Sequence, residues 1–257
     1  MSSTVSKAVQ VLLQLSSASG QQSVRSIAKE LAYTPSTTQR LLATLEQEGM
    51  ASRDPSTNHY TLGPTALQLG ATMLNRLDVR AKALPYMRRL HEATSETVGL
   101  NIQVGDSRMY VEQLESPQQL KAKAQTGHLY PLYSGSPGRI LLSGLSDPEV
   151  ERIIKEADLV ALTAQTPVAP NDILQSVTTI REAGYAAAYG ETIPGVNTIA
   201  APLRDHRGAV CAALSISGPS SRFTTDLIED PSSGPLTLLL EAADNISSEM
   251  GHRESAL

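Results

Sequence analysis

Gln39 and Arg40 form the pair whose side chains could do the most specific chemistry in this sequence. A glutamine amide can bond N6 and N7 of adenine, and a guanidinium can grip O6 and N7 of guanine on the major-groove edge of duplex DNA. They lie within Ser36-Thr-Thr-Gln-Arg40, and the hydroxyls of Ser36, Thr37 and Thr44, with the cation Arg53, suit phosphate oxygens. Such contacts set register without reading sequence. A second polar pair, Ser215 and Ser217, falls on one face of a strand by period-two alternation.

Catalytic chemistry finds less material. Cys211, the single cysteine, sits in the apolar run Ala209-Val-Cys-Ala-Ala-Leu214, which reads as a core thiol and excludes an internal disulfide. His59, His91, His128, His206 and His252 never fall at metal-ligand spacing. Neither a phosphate-binding loop, a dinucleotide fingerprint nor a G-x-S-x-G elbow occurs. No cofactor or metal is therefore expected. A hydrolase using Cys211 or a serine with His128 or His206 remains the competing enzyme reading, without a recognisable base and orienter.

The elements that must position Gln39 and Arg40 are legible. Val5, Val9, Leu12, Leu13 and Leu15 mark a first helix, ended by Ser16-Ser-Ala-Ser-Gly20. Ser23 caps a second, Val24 to Ala32, and Thr34 caps a third with Pro35 at its first position, running to about Glu48 before Gly49. Thr38, Leu41, Leu42 and Leu45 make the inward stripe of the third helix, so Ser36, Gln39, Arg40, Ala43 and Gln47 face solvent. Met50 to Arg53 and His59 to Leu62, joined by Asp54-Pro-Ser-Thr-Asn58, predict a hairpin. Three helices and a hairpin describe a winged helix-turn-helix whose third helix enters the major groove.

Pro64 to Arg80 reads as a linker helix with an apolar surface at Leu67, Leu69, Leu74 and Leu77, and Ala81 to Thr94 as another helix with Pro85 near its start. Beyond it the period changes. Val98 to Val104 and Met109 to Glu115 predict a hairpin, with further strands at Tyr185 to Tyr189, Thr198 to Leu203 and Ala209 to Ser217. Helices are expected from Asp147 to Ala157, from Asn171 to Ala183 with Gly184 just past the end, and from Leu236 to about Met250. The fold class is α+β, with domains at 1–65, 66–80 and 81–257.

Charge is distributed unevenly. The first 80 residues carry seven basic and five acidic side chains, against a net charge of −5 for the 257-residue chain, so the second part is strongly acidic. The first segment can approach a polyanion and the remainder repels it. With no tryptophan and one phenylalanine, a single-strand stacking platform is disfavoured. No apolar run is long enough for a membrane span and the N-terminus lacks a secretory leader, which places the chain in the cytoplasm as an expectation.

The words Ser26-Ile-Ala-Lys-Glu-Leu-Ala32, Ser36-Thr-Thr-Gln-Arg-Leu-Leu-Ala-Thr-Leu-Glu-Gln-Glu-Gly49 and Tyr60-Thr-Leu-Gly63 resemble the DNA-binding domain of IclR-family transcriptional regulators. Pro35 replaces a basic residue usual there. The later words Pro131-Leu-Tyr-Ser-Gly-Ser-Pro-Gly138, Gly190-Glu191, Ile199-Ala-Ala-Pro202 and Leu214-Ser-Ile-Ser-Gly-Pro219 resemble that family's GAF-like effector-binding domain. The resemblance spans about Lys7 to Met250. It implies a pocket for a small organic molecule, carboxylate or aromatic in class, lined by Ser136, Pro137, Gly138, Thr198, Ser215 and Ser217. Ala188 and Thr198 stand where some members have an acid and a cysteine, which implies a pocket less suited to a very small oxoacid. Tyr133, Tyr185 and Tyr189 lie near the same words as candidate contacts for an aromatic body.

The resulting expectation is a regulator that binds double-stranded operator DNA as a homodimer or dimer of dimers, responds to a small-molecule effector and performs no catalysis. Besides the hydrolase, a sensor module without DNA function is the alternative.

Overall fold

Ser23 and Thr34 do what their positions require: each sits in extended backbone, and its side-chain oxygen accepts the N–H of a residue in the following first turn, Ser26 or Thr37. In the computed structural model, which describes residues 4–18, 20–75, 78–228 and 234–253, they start helices α2 (Val24–Glu30) and α3 (Pro35–Gln47). Helix α1 (Thr4–Ser17) precedes them, and strands β1 (Ala51–Arg53) and β2 (Tyr60–Leu62) follow as an antiparallel hairpin. Helix α4 (Pro64–Asn75) completes the first of two compact units, which divide between residues 77 and 78.

Val11, Leu15, Ile27, Leu41, Leu42 and Leu45 form the core of this unit, joined by Ala51 and Tyr60 of the hairpin. Gln22 pairs with Tyr60 as a β-bridge, through bonds of 2.9 and 2.7 Å, so the α1–α2 connection is laced to the wing. Helix α2 stops at Glu30, short of the expected Ala32, because Ala32 adopts a left-handed φ of 53° that turns the chain. The linker helix expected to reach Arg80 is seen as α4 up to Asn75. Its continuity with the next helix, and its Leu77, lie outside the described residues.

The second unit is a six-stranded antiparallel sheet in the order β5-β4-β3-β8-β7-β6. Its strands are β3 (Thr97–Val104), β4 (Ser107–Leu114), β5 (Leu129–Pro131), β6 (Ala186–Tyr189), β7 (Val196–Arg204) and β8 (Val210–Pro219). Helices α5 (Asp78–Thr94) and α10 (Pro235–Glu249) pack against one part of the fold, and α6 (Ser136–Ser143), α7 (Asp147–Glu156) and α8 (Pro170–Ala183) form a second layer, while α9 (Thr225–Ile228) is a single turn. The fold class is the one the sequence predicts, a winged helix-turn-helix followed by an α+β unit in which helices flank a sheet.

Small residues decide how the α6 layer sits. Ala186, Ala200 and Ala213 of the sheet belong to the same core as Ile140, Leu141, Ile153, Ile173 and Val177 of the helices. Gly138 allows the closest approach, since a Cβ there would lie 2.3 Å from the carbonyl oxygen of Leu132. Strand β5 and helix α9 were not anticipated, being three and four residues long, below the reach of a periodicity argument. Pro85 sits well inside α5 rather than near its start, because that helix begins at Asp78.

Candidate nucleic-acid interface and effector cavity

The inward stripe of α3 is buried as its spacing requires, and Ser36, Gln39, Arg40 and Thr44 are exposed, with Thr37 half-buried. Arg40 has no ion pair or side-chain hydrogen bond among the described residues. Gln39 makes only a long 3.4 Å contact to the hydroxyl of Tyr60, which leaves most of its amide edge open. Thr44 donates to the Arg40 carbonyl and Thr37 accepts the hydroxyl of Thr34. These groups form a polar surface on the part of α3 from residue 35 to 45, which carries no acid; the exposed Glu46 follows in its last turn.

Arg53 is exposed on β1 and contacts the Asn58 side chain across the wing turn. The turn itself is built on Asp54, whose carboxylate accepts the Ser56 hydroxyl at 2.6 Å and the Ser56 N–H at 2.8 Å. Gln21 donates to its other oxygen at 3.2 Å. These bonds hold Asp54 far below the usual carboxylate range, the Ser56 hydroxyl being the largest cause. An ionised Asp54 therefore ties the wing to the α1–α2 connection.

In the second unit one sheet face carries Thr97 and Gly99 of β3, Ser215 and Ser217 of β8, and Thr198 of β7, as the registers Thr97↔Ser217, Gly99↔Ser215 and Thr198↔Ser217 dictate. Over it lies a small cavity that opens to solvent. Pro137, Thr198 and Ser217 line it, and Thr198 donates to the Ser217 hydroxyl at 3.0 Å. Ser136, Gly138 and Ser215, expected with them, lie behind its lining. Ser136 is buried and donates to the Thr198 carbonyl, Ser215 donates to the Gly99 carbonyl, and Gly138 is consumed in packing against Leu132. Period-two alternation had put both serines on one face but could not tell which reaches open space.

The tyrosines are also redistributed. Tyr133 is buried with its hydroxyl between the carbonyls of Asp158 and Val160, and Tyr185 and Tyr189 line a separate open groove beside α8. Tyr110 and Tyr130, which sequence reasoning missed, line the cavity instead, together with Arg108. Their signal was present in the alternation Arg108, Tyr110 on β4, but the pairing of Tyr130 with Arg108 needed β5.

Ala188 lines the cavity as a small apolar wall, and Glu191 borders it while held by Arg139 at 2.5 and 2.9 Å. Cys211 lies half-buried, donating to the Leu203 carbonyl at 3.3 Å; burial first, and Asp205 second, push its thiol pKa up. Among the described residues no group of histidine, cysteine or acid is arranged to hold a metal, and no helix is long and apolar enough to cross a membrane.

Comparison with known proteins follows the same division. A model of the IclR helix-turn-helix domain matches residues 4–55, and a model of the bacterial transcriptional regulator IclR C-terminal domain matches residues 71–248. The HTH-type transcriptional regulator BhcR of Paracoccus denitrificans is 32% identical over 245 residues, covering 95% of this chain and 86% of BhcR. The crystal structure of an IclR transcriptional regulator from Alicyclobacillus acidocaldarius superimposes with a TM-score of 0.83 at 28% identity, covering 96% of this chain and 98% of that one. An IclR homologue from Microbacterium hydrocarbonoxydans, solved in complex with 4-hydroxybenzoate, shares the fold with a TM-score of 0.82 at 24% identity over 96% and 99% of the two chains. The exposed polar face of α3, the wing and the covered cavity thus occur in a chain that belongs to the IclR family of DNA-binding transcriptional regulators with a C-terminal effector-binding domain.

Proposed function

We propose that Gln39 and Arg40 read base edges in the major groove of an operator while Ser36, Thr37, Thr44 and Arg53 bind phosphates. The observation that carries this reading is the exposed Gln39–Arg40 pair in the N-terminal part of α3, where residues 35–45 hold no acid, with Arg40 unengaged among the described residues. An isolated amphipathic helix would show such groups by chance, but here the wing stands beside it in the order that groove binding uses. Fluorescence-anisotropy titration against the DNA upstream of the gene, at several salt concentrations and beside a scrambled duplex, tests it. Specific, salt-sensitive binding is expected, and equal weak affinity for both duplexes would count against it.

The cavity over Pro137, Thr198 and Ser217 is the effector site in this proposal. A small organic ligand, carboxylate or aromatic, alters regulation through different affinity for two arrangements of the protein, since a ligand with equal affinity for both shifts nothing. Support comes from the mixture of apolar walls and convergent hydroxyls that small-molecule sites use, and from the 4-hydroxybenzoate bound by the Microbacterium homologue.

The active species is a homodimer or a dimer of dimers working in the cytoplasm without catalysis. Exposed Val5, Val9 and Leu13 recur every four residues along α1, and Leu67, Leu69 and Met73 are exposed on α4; a second copy of the chain is the partner proposed to cover them. The raised thiol pKa of Cys211 argues against the hydrolase alternative.

A further inference from the structure

Arg108 is among the largest fully buried side chains of the protein, with 2% of its surface exposed, yet it pairs with no carboxylate among the described residues. Among the described residues its side chain makes one hydrogen bond, from Nη1 to Oδ1 of Asn101 at 2.8 Å, and its Nε has no partner. A buried cation without a counter-charge is costly, and proteins ordinarily pair it. The side chain lines the cavity, with Nη2 directed toward Gly135, where a Cβ would lie 3.6 Å away.

The other charged side chains of the lining each have an oppositely charged partner. Lys123 is bound at 2.8 Å to Glu115, which it shares with Lys121 at 2.9 Å, and Glu191 is bound to Arg139 at 2.5 Å. Arg108, at the β4 end, is the charged side chain of the lining that has no oppositely charged partner among the described residues. Tyr110 and Tyr130 stand 5.2 and 4.9 Å from the guanidinium carbon, ring centroid to Cζ, and with each other make an edge-to-face pair at 5.8 Å. Their rings partly compensate the cation, exclude water from it and restrict its plane.

We infer that Arg108 is the charge anchor of the effector site, and that the ligand it takes is a monoanion whose single carboxylate meets the guanidinium while its flat or apolar body lies toward Pro137, Ile193 and Val196. This inference rests on the reading of the cavity as the effector site and gives that site its charge selectivity. A carboxylate accepts two parallel N–H bonds from an arginine fork, which a neutral amide cannot match. On the wall of Pro137, Ile193 and Val196, where the body of the ligand lies, a second carboxylate would be desolvated without a cation and would come near Glu191, which disfavours dianions.

The test is calorimetric titration of the full-length protein with benzoate, its neutral isostere benzamide and the dianion terephthalate, in wild type and in Arg108→Met, Arg108→Lys and Thr198→Val. Wild type is expected to bind benzoate at least tenfold more tightly than either analogue. Arg108→Met loses at least tenfold of benzoate affinity, and Arg108→Lys, which keeps the charge without the fork and guards against a misfolded Met variant, loses severalfold. Unchanged benzoate affinity in both Arg108 variants overturns the anchor; if Thr198→Val still loses binding, the cavity reading survives alone. Equal affinity for benzamide and benzoate, or no benzoate binding at millimolar concentration, likewise overturns it. If Thr198→Val also leaves benzoate affinity unchanged, the cavity reading falls with it.

Discussion

Gly99 and Tyr110 sit so close on neighbouring strands that a Cβ on Gly99 would lie 2.6 Å from the tyrosine ring. The ring rests across the bare glycine backbone, and both residues line the cavity. Room for a ligand in the cavity thus depends on the absence of one methyl group. Gly99→Ala is expected to displace the ring, destabilise the domain by about 1–3 kcal/mol and weaken effector binding at least tenfold. Denaturant unfolding and ligand titration check the two effects separately.

The two serines of β8 are expected to behave differently although they share a face. Ser217 lines the cavity and accepts the Thr198 hydroxyl, so Ser217→Ala weakens effector response while sparing operator binding. Ser215 is spent on the Gly99 carbonyl, so Ser215→Ala costs stability of about 1 kcal/mol and changes the response less. A reporter or anisotropy assay with and without effector ranks them. A larger loss of response in Ser215→Ala would reverse the assignment.

Arg40→Ala and Arg53→Ala separate reading from positioning. The first should cost about 1–3 kcal/mol of operator affinity and relax specificity at one base pair. The second should weaken binding to all sequences alike and reduce the salt slope by about one. Anisotropy against a set of single-base operator variants distinguishes these patterns, with circular dichroism confirming an unchanged fold.

Acid should loosen the wing at a definable point. The folded pKa of Asp54 is depressed, chiefly by the Ser56 hydroxyl and then by the Ser56 N–H and Gln21, so its contribution is present above the ordinary carboxylate range. It is lost as pH falls below about 4, through the depressed folded value. Carbon-detected NMR titration of the Asp54 carboxyl should show the low midpoint. Asp54→Asn should abolish the pH response of the Ser56 amide and lower DNA affinity severalfold at neutral pH.

Assembly through the first unit predicts that Val9→Glu on α1, or Met73→Glu on α4, lowers the oligomeric state in sedimentation at micromolar concentration. Both positions are already exposed, at 48% and 63%, so the fold itself should lose little stability. An unchanged sedimentation coefficient in the double variant would place the oligomer contact elsewhere.

Much of the DNA-facing half was legible because its determinants are local. Ser23, Thr34 and Pro35 state where helices begin, the spacing of Thr38, Leu41, Leu42 and Leu45 states which face of α3 is inward, and the outward face follows by subtraction. The same locality revealed five of the six strands of the second unit, all but β5, and the left-handed Gly184, with φ 75°, that ends α8. Word-level resemblance supplied the family, and periodicity alone would have stopped at a winged helix and an α+β domain.

The cavity was decided by pairings distant in sequence. Ser215 and Ser217 are equivalent by alternation, and only the register with Gly99 and Thr198 makes one an internal strut and the other a wall. Gly138, attractive as a ligand contact, turned out to be required by the backbone of Leu132. Arg108 gave no sign of burial in the sequence, because whether a cation is solvated or enclosed depends on Tyr110, Tyr130 and the layer of chain that covers them. Helix caps and apolar stripes act over a few residues and are written in the chain, whereas burial, counter-charge and empty space are properties of what other segments bring, and only the tertiary structure settles them.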